Sequence, residues 1–325
     1  MAGGGEGKYH AKDFDWEDLR EEVEKDPSKG YHVAAPSSSG YRGDLLPSSL
    51  PHASEAWRSF HKRHSTGRFF KERRYLLKEF PELAAQGLSC CALEVGCGNG
   101  STALPILRAG EGIVIYACDC SSDALEVAKA TVENADDIPR KDRFRAFLLD
   151  FSSCGFPRWL FCDSCQASSI RSPTNCSSGD LYATDHSPYL EGRCCIGGVD
   201  FVTLVSVHLS AVPFQRMPFT LAECISVLKP GACSCSETTV ITREFGLYDM
   251  TMLRFPPEQR AGFREYTRSD GTLSYFFSLD IVRRLFCGAG FIELELEYCC
   301  VRSENRRNGK IMRRVWVHGK FQKPR

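Results

Sequence analysis

The 325-residue sequence predicts an α/β fold in which a mostly parallel sheet of seven strands carries helices on both faces and a helical extension precedes it. Three observations predict it. Short apolar runs alternate with amphipathic stretches of helical period in the middle of the chain; a glycine-rich turn, GCGNG, follows the first of those runs; and two alternating runs close the chain after a last helix.

The elements follow in order. Residues 1–52 mix glycine, serine, proline and charge with little period, which predicts a flexible tail. From Ala53 the stretch SEAWRSFHKRHSTGRFFKERRYLLKEFPEL sets aromatics and leucines among basic residues at helical spacing, with Gly67 as a break, so 53–89 reads as a helical cap on a domain spanning 90–325. Strands are predicted at CALEV, GIVIYACD, RFRAFLLD and VDFVTLVSV. The helices STALPILRAG and SSDALEVAKATVENA lie between them, the second opened by Ser121 or Ser122 as N-cap. PFQRMPFTLAECISVLKPG is a helix stopped at Lys229-Pro230-Gly231, and a fifth strand is expected after it. SLDIVRRLFCGAG, FIELELEYCCV and MRRVWVHGKFQ supply the final helix and the closing pair. Two segments break this rhythm. A Cys- and Ser-rich insertion at 152–198 is longer than a strand-to-helix connection needs, and ACSCSETTVIT stands where a compact apolar strand is expected.

Composition narrows the class. A hydrophobic fraction of 42% and a charged fraction of 25% suit a globular protein, and no apolar run is long enough to cross a bilayer. The first residues lack both a secretory apolar core and the acid-poor, arginine-rich character of a mitochondrial presequence, so the expected address is the cytoplasm, with the nucleus open. Seventeen cysteines spread through predicted strands and helices read as reduced thiols rather than a disulfide framework. The zero net charge conceals an uneven distribution. Eight basic residues stand against the single acid Glu72 between Trp57 and Lys78, and nine against Glu304 alone between Val301 and Arg325. Each cluster has a plain reading as a solvated face; two of them flanking one core favour a polyanionic partner.

The glycine turn names a ligand class. A glycine-rich loop between strand and helix lets backbone amides approach a ligand where no Cβ stands in the way. Gly96, Gly98 and Gly100 are spaced G-x-G-x-G, which weakens a nicotinamide or flavin reading, and no lysine follows Gly100 to make a phosphate loop. A ligand with a ribose and no pyrophosphate remains. Asp119, at the end of the second strand, is placed to accept both ribose hydroxyls; Asp150 to accept an exocyclic adenine amine beside the Phe151 ring; and Glu94 to face a methionine end. The inferred cofactor is S-adenosylmethionine.

Several motifs then resemble one family. WRSFHKRHSTGRFFKERRYLLKEFPEL, LEVGCGNG, YACDCS, LSAVP, VLKPG, REFGLYDMTMLRF, YTRSDGTLSYFF and RRVWVHGKF together look like the methyltransferase-like tRNA enzymes that make 3-methylcytidine in the anticodon loop, from about Trp57 to the C-terminus. The resemblance implies a class I, Rossmann-like domain whose N-terminal helical segment closes over cofactor and tRNA. By motif it implies cofactor contacts at Trp57, Gly96, Asp119, Asp150, Phe151 and Val205, with His61 standing where the family usually has tyrosine; Gly98 of the same turn is a further candidate. The sequence departs from the family after LKPG, where eleven residues precede REFG, and His208 reads as a local bulge.

That chemistry needs no general base. Ring nitrogen 3 of neutral cytosine carries an in-plane lone pair and no proton, so the site must supply alignment and a pocket that tolerates a cation. No catalytic residue is assigned. A base drawn out of its stack needs aromatic or arginine planes, for which Phe69, Phe70, Arg243, Tyr248 and Phe276 are the candidates. Arg68, Arg73 and Arg313, from the two basic clusters, are candidate tRNA contacts. The expected partners are tRNA and, as a class the sequence neither requires nor excludes, a helper protein such as an aminoacyl-tRNA synthetase. No metal site is assigned: CDSC with Cys176, Cys194 and Cys195 has one zinc-like spacing, and a Cys/Ser-rich loop is the plainer reading. Two alternatives stay open, a methyltransferase of proteins or small molecules and a weakly catalytic scaffold of the same fold.

Overall fold

The structure is a computed structural model that describes residues 12–34, 50–64, 72–84, 90–161, 198–205, 209–229, 238–305 and 309–324. Five strands run parallel: β1 (Cys90–Val95), β2 (Ile113–Asp119), β3 (Phe144–Leu148), β4 (Phe201–Val205) and β5 (Thr239–Phe245). β9 (Ile292–Asn305) and β10 (Lys310–Gln322) form an antiparallel hairpin, and β10 pairs antiparallel with β5. The resulting seven-stranded order is β3-β2-β1-β4-β5-β10-β9. Connections leave β1 toward β2 on one side, while β4 lies on the other, so the strand order reverses between β1 and β4. A ligand crevice forms at such a point, beyond the carboxyl ends of the strands.

Side-chain alternation sorts the strands between two cores. On one face Leu93, Val95, Val202 and Leu204 pack with α7 (Met217–Val227) and α8 (Leu279–Gly288). On the other, Ala92, Ile115, Ala117, Phe201 and Ile241 pack with α4 (Leu76–Glu79), α5 (Ala103–Ala109) and α6 (Ser122–Glu133). Ser121 caps α6 by accepting from the Ala124 amide at 3.2 Å. The fifth strand forms in full: all seven residues of β5 are buried, in register from Phe201↔Thr239 to Val205↔Arg243. It begins later than the stop at Gly231 suggests, and the apolar run that makes it is TVITREF rather than the cysteine-bearing residues before it.

Two features depart from the expected organisation. Within 1–52, α1 (Trp16–Lys25) and α2 (Gly30–Val33) are ordered elements. Asp15 caps α1, and Leu19 and Val23, one turn apart, enter a third core with Phe245, Tyr248, Phe255, Tyr266, Phe276 and Val315. The Trp16 ring stacks on Tyr298 at 4.5 Å and its indole donates to the Leu247 carbonyl at 3.2 Å. Trp16, Leu19 and Val23 are three apolar side chains in ten residues, a stripe too short to have marked a core, yet burying Leu19 and Val23 is worth roughly 1.5–3 kcal/mol each. The second feature is a small antiparallel sheet, β6 (Arg260–Gly262), β7 (Glu265–Thr267) and β8 (Leu273–Tyr275), set over the carboxyl end of the main sheet by the Tyr275 amide bonding the Ser210 carbonyl. Of the insertion, residues 152–161 and Gly198 are described, with Phe156, Leu160 and Phe161 buried against the sheet; CDSC, Cys176 and Cys194–Cys195 lie outside the described residues. No helix among the described residues is long and apolar enough to cross a membrane.

Candidate active site

The turn after β1 is made by three left-handed residues, Gly96 (φ 71°), Gly98 (φ 54°) and Gly100 (φ 77°), a conformation that a Cβ would strain. It folds back on β2. The Cys97 amide donates to the Cys118 carbonyl and the Gly98 amide to Asp119 Oδ2, both at 2.9 Å. The other Asp119 oxygen accepts from the Ser121 amide at 2.9 Å. Each oxygen keeps lone-pair capacity for a hydroxyl, which suits a ribose diol at this point.

One strand further out, Asp150 accepts from the Ser152 hydroxyl at 2.6 Å, from the Ser152 amide and from the Ser54 hydroxyl. Burial raises its pKa, but the Ser152, Ser54 and Ser153 hydrogen bonds outweigh that and hold it below the ordinary value. Ser54 lies on α3 (Leu50–Arg63), so this bond pins a helix across the crevice. Arg58 Nε adds a 3.0 Å bond to the Cys120 carbonyl, and Arg63 a 3.3 Å bond to the Asp270 carbonyl. α3 thus bridges from β2 and β3 to the small sheet.

Under that helix lies a cavity of about 940 Å³, of a size to hold a nucleoside-like ligand together with a second ring. Ser54, Trp57, His61, Gly96, Gly98, Asp119, Asp150, Phe151 and Val212 line one end. The Trp57 indole N–H is buried without a hydrogen-bond partner among the described residues, an open donor on a wall where S-adenosylmethionine, rich in acceptors, fits. Burial lowers the His61 pKa, opposed by Asp119, so the ring tends to the neutral form that can pack on a ligand.

The other end is aromatic and cationic: Tyr75, Arg73, Phe245, Thr251, Arg268, Asp270, Arg314 and Trp316. Phe245 and Trp316 are directly paired in the β5–β10 register and stack at 4.9 Å. The Arg314 guanidinium lies 4.7 Å from the Trp316 ring, and Asp249 holds it through a 2.8 Å bond. Burial lowers the pKa of Arg268, partly offset by Asp270. Planar rings beside guanidinium groups form a surface on which an unstacked base can lie.

Seven sequence-predicted cofactor residues therefore meet around one cavity: Trp57, His61, Gly96, Gly98, Asp119, Asp150 and Phe151. Glu94 and Val205 stand outside its lining. Glu94 is enclosed in the sheet beside Arg73 and Thr102, where burial pushes its pKa up to about 7 against the pull of Arg73. Val205, the last residue of β4, packs in the core, and Ala211 and Val212 line the cavity instead. Glu244 places them: it accepts the Leu209 and Ser210 amides at 2.9 and 3.2 Å.

Among the predicted tRNA contacts, Arg73 lines the cavity, bound to the Thr102 hydroxyl at 2.8 Å, instead of presenting a free surface charge. Arg243 sits behind the cavity wall, between the rings of Tyr75 and Trp316. Tyr248 and Phe276 are consumed by the third core, and Tyr248 donates its hydroxyl to Glu24 at 2.9 Å. Arg313 faces away from the cavity and pairs with Glu22 through two 2.6 Å bonds. Arg68, Phe69, Phe70 and His208 lie outside the described residues. Sequence reasoning missed Phe245, Arg314 and Trp316. Strand alternation in RRVWVHGKF separates Arg314 and Trp316 from Arg313 and the buried Val315 and Val317, but which of the two faces meets the cavity is set by tertiary pairing.

No family model matches the chain. It is 34% identical over 277 residues to the tRNA N(3)-cytidine methyltransferase METTL6 of Rattus norvegicus, across 84% of this chain and 80% of that protein. It is 30% identical over 307 residues to the tRNA N(3)-cytidine methyltransferase METTL2 of Danio rerio, across 83% of this chain and 74% of the relative. A structure solved for the conversion of a disulfide bond into a thioacetal group during echinomycin biosynthesis superposes with a TM-score of 0.51 at 13% identity, covering 84% of this chain and 93% of that one, a likeness of fold alone.

Proposed function

The chain belongs to the family of tRNA N(3)-cytidine methyltransferases, and on that premise we propose that it transfers a methyl group from S-adenosylmethionine to ring nitrogen 3 of a cytidine in the anticodon loop of tRNA. The observation that carries the proposal is the single cavity joining Gly98, Asp119 and Asp150 to the Phe245–Trp316 stack. The residues of the first end fit an adenosyl group: Asp119 for the ribose, Asp150 and Phe151 for the adenine, Trp57 and His61 from the closing helix. Bound S-adenosylmethionine supplies an electrophilic methyl group on a sulfonium.

The protein's part is alignment and desolvation. Phe245, Trp316 and Tyr75 offer faces for the extruded base, and Arg268 and Arg314 offer donors for its carbonyl and adjoining phosphate. No side chain need remove a proton, since the attacking nitrogen bears none. Aromatic faces and the nearby Asp270 carboxylate accommodate the cationic product base. A helper protein, an aminoacyl-tRNA synthetase among the candidates, is part of the proposal only if the purified chain alone is inactive on tRNA. The deciding experiment is nucleoside mass spectrometry after incubating the protein with S-adenosylmethionine and unmodified tRNA. A 3-methylcytidine peak is expected; methylation of another nucleoside, or none with and without cell extract, overturns the assignment.

A further inference from the structure

Behind the aromatic end of the cavity, six charged or titratable side chains form an unbroken chain that the reaction as described does not use. Arg243 Nη1 is 3.1 Å from Glu79 Oε2, and Glu79 Oε1 is 3.1 Å from His318 Nδ1. His318 Nε2 is 3.1 Å from Glu295 Oε2; Lys320 lies 3.4 Å from Glu295 and 2.8 Å from Glu82. His318 is fully buried, with the Phe80 ring stacked on it at 4.6 Å.

Both imidazole nitrogens face carboxylates, so the ring is gripped from two sides. Along the chain Glu79, Glu295 and Glu82 alternate with Arg243, His318 and Lys320. The surrounding groups come from several elements: Glu79 from α4, Glu82 from the turn Pro81–Ala84, Arg243 from β5, and Glu295, Glu297 and the buried Cys299 thiol from β9. Glu297, opposite His318 in register, is paired with Lys12 at 3.4 Å.

At the cavity end of this chain the Arg243 guanidinium is a cationic wedge, 4.3 Å from the Tyr75 ring and 4.9 Å from the Trp316 ring, both of which line the cavity while Arg243 does not. We propose that His318 is a positioning residue: seated between Glu79 and Glu295, it fixes Glu79 and thereby Arg243, which spaces Tyr75 and Trp316 as walls for the target base. The inference rests on the methyltransferase reading above. It makes turnover on tRNA depend on a residue that touches neither cofactor nor base.

The test uses the full chain. The kcat and KM for tRNA in 3-methylcytidine formation are measured at neutral pH for wild type, His318→Gln and Glu295→Gln, with calorimetric S-adenosylmethionine affinity and thermal midpoint for each. His318→Gln should cost roughly tenfold in kcat/KM for tRNA with cofactor affinity unchanged, because a displaced wall misaligns the base without touching the cofactor. Glu295→Gln keeps an acceptor for the ring and should cost less than His318→Gln. An unchanged kcat/KM in His318→Gln, or a loss accompanied by equal losses of cofactor affinity and thermal midpoint, overturns the proposal. A wild type that makes no 3-methylcytidine refutes the function, whereas an active wild type matched by His318→Gln refutes the positioning role alone.

Discussion

The Gly98 amide donates to the Asp119 carboxylate at 2.9 Å across 21 residues, so the glycine turn and the proposed ribose acceptor are one hydrogen-bonded unit. Asp119→Ala removes the ligand acceptor and also strands the Gly98 and Ser121 amides. S-adenosylmethionine affinity should fall by at least about 100-fold, and stability by about 1–3 kcal/mol for each amide left unsatisfied. Calorimetry and urea unfolding measure the two losses; retained affinity would displace the cofactor from this end of the cavity.

Ser54 latches the closing helix to Asp150. In Ser54→Ala the helix loses that bond while Asp150 keeps its Ser152 donors. Cofactor should dissociate about tenfold faster, corresponding to about 1.4 kcal/mol, the net worth of one hydrogen bond to a charged group. Stopped-flow release of S-adenosylmethionine checks this, with the urea midpoint expected to stay near wild type.

Trp316→Ala removes the ring that Phe245, Arg243 and Arg314 all contact. Stacking of a base on an aromatic side chain is worth about 1–3 kcal/mol, so kcat/KM for tRNA should drop roughly ten- to hundredfold. Asp119 and Asp150 are untouched, and S-adenosylmethionine affinity should change less than about twofold by the same stacking argument. Equal losses for both ligands would contradict the division of the cavity into two ends.

Glu94 and Glu244 predict the stability of the ligand-free protein against pH. Burial raises both carboxyl groups from 4.5 to about 7. A raised acid binds its proton more tightly in the folded state, so its folded form is favoured at low pH. Stability is therefore lost as pH rises from about 4.5 through about 7, and is level above that. Glu94→Gln cannot titrate. Its stability relative to wild type should improve by about 2–3 kcal/mol between pH 5 and pH 8, read from urea midpoints at the two values. An identical slope in the two proteins would mean that Glu94 ionises freely.

Much of the site was legible in the sequence because its signals are local. Glycines at alternate positions after an apolar run, and acids at the ends of consecutive strands, follow from backbone geometry near each residue. Parallel strands then bring their carboxyl ends together, whatever else the chain does. This is why Gly96, Gly98, Asp119 and Asp150 meet around one cavity while standing up to 54 positions apart in the chain.

The aromatic, cationic end of the cavity was decided by pairing over long distances. Composition alone made the last 25 residues look like a basic patch, but the fold sets acids against them: Arg313 meets Glu22 of α1, Arg314 meets Asp249, and Lys320 meets Glu82 and Glu295. Which basic residue faces a ligand and which is neutralised inside depends on the β5–β10 register and on where α1 packs. Neither is encoded by any window of neighbouring residues. The sequence by itself determined the parallel sheet, the glycine turn and the acids that serve it, since these obey short-range sterics and period. Only the tertiary structure decided that Phe245, Arg314 and Trp316, rather than Tyr248, Phe276 and Arg313, border the cavity, because a side chain's charge and exposure are set by partners far away along the chain.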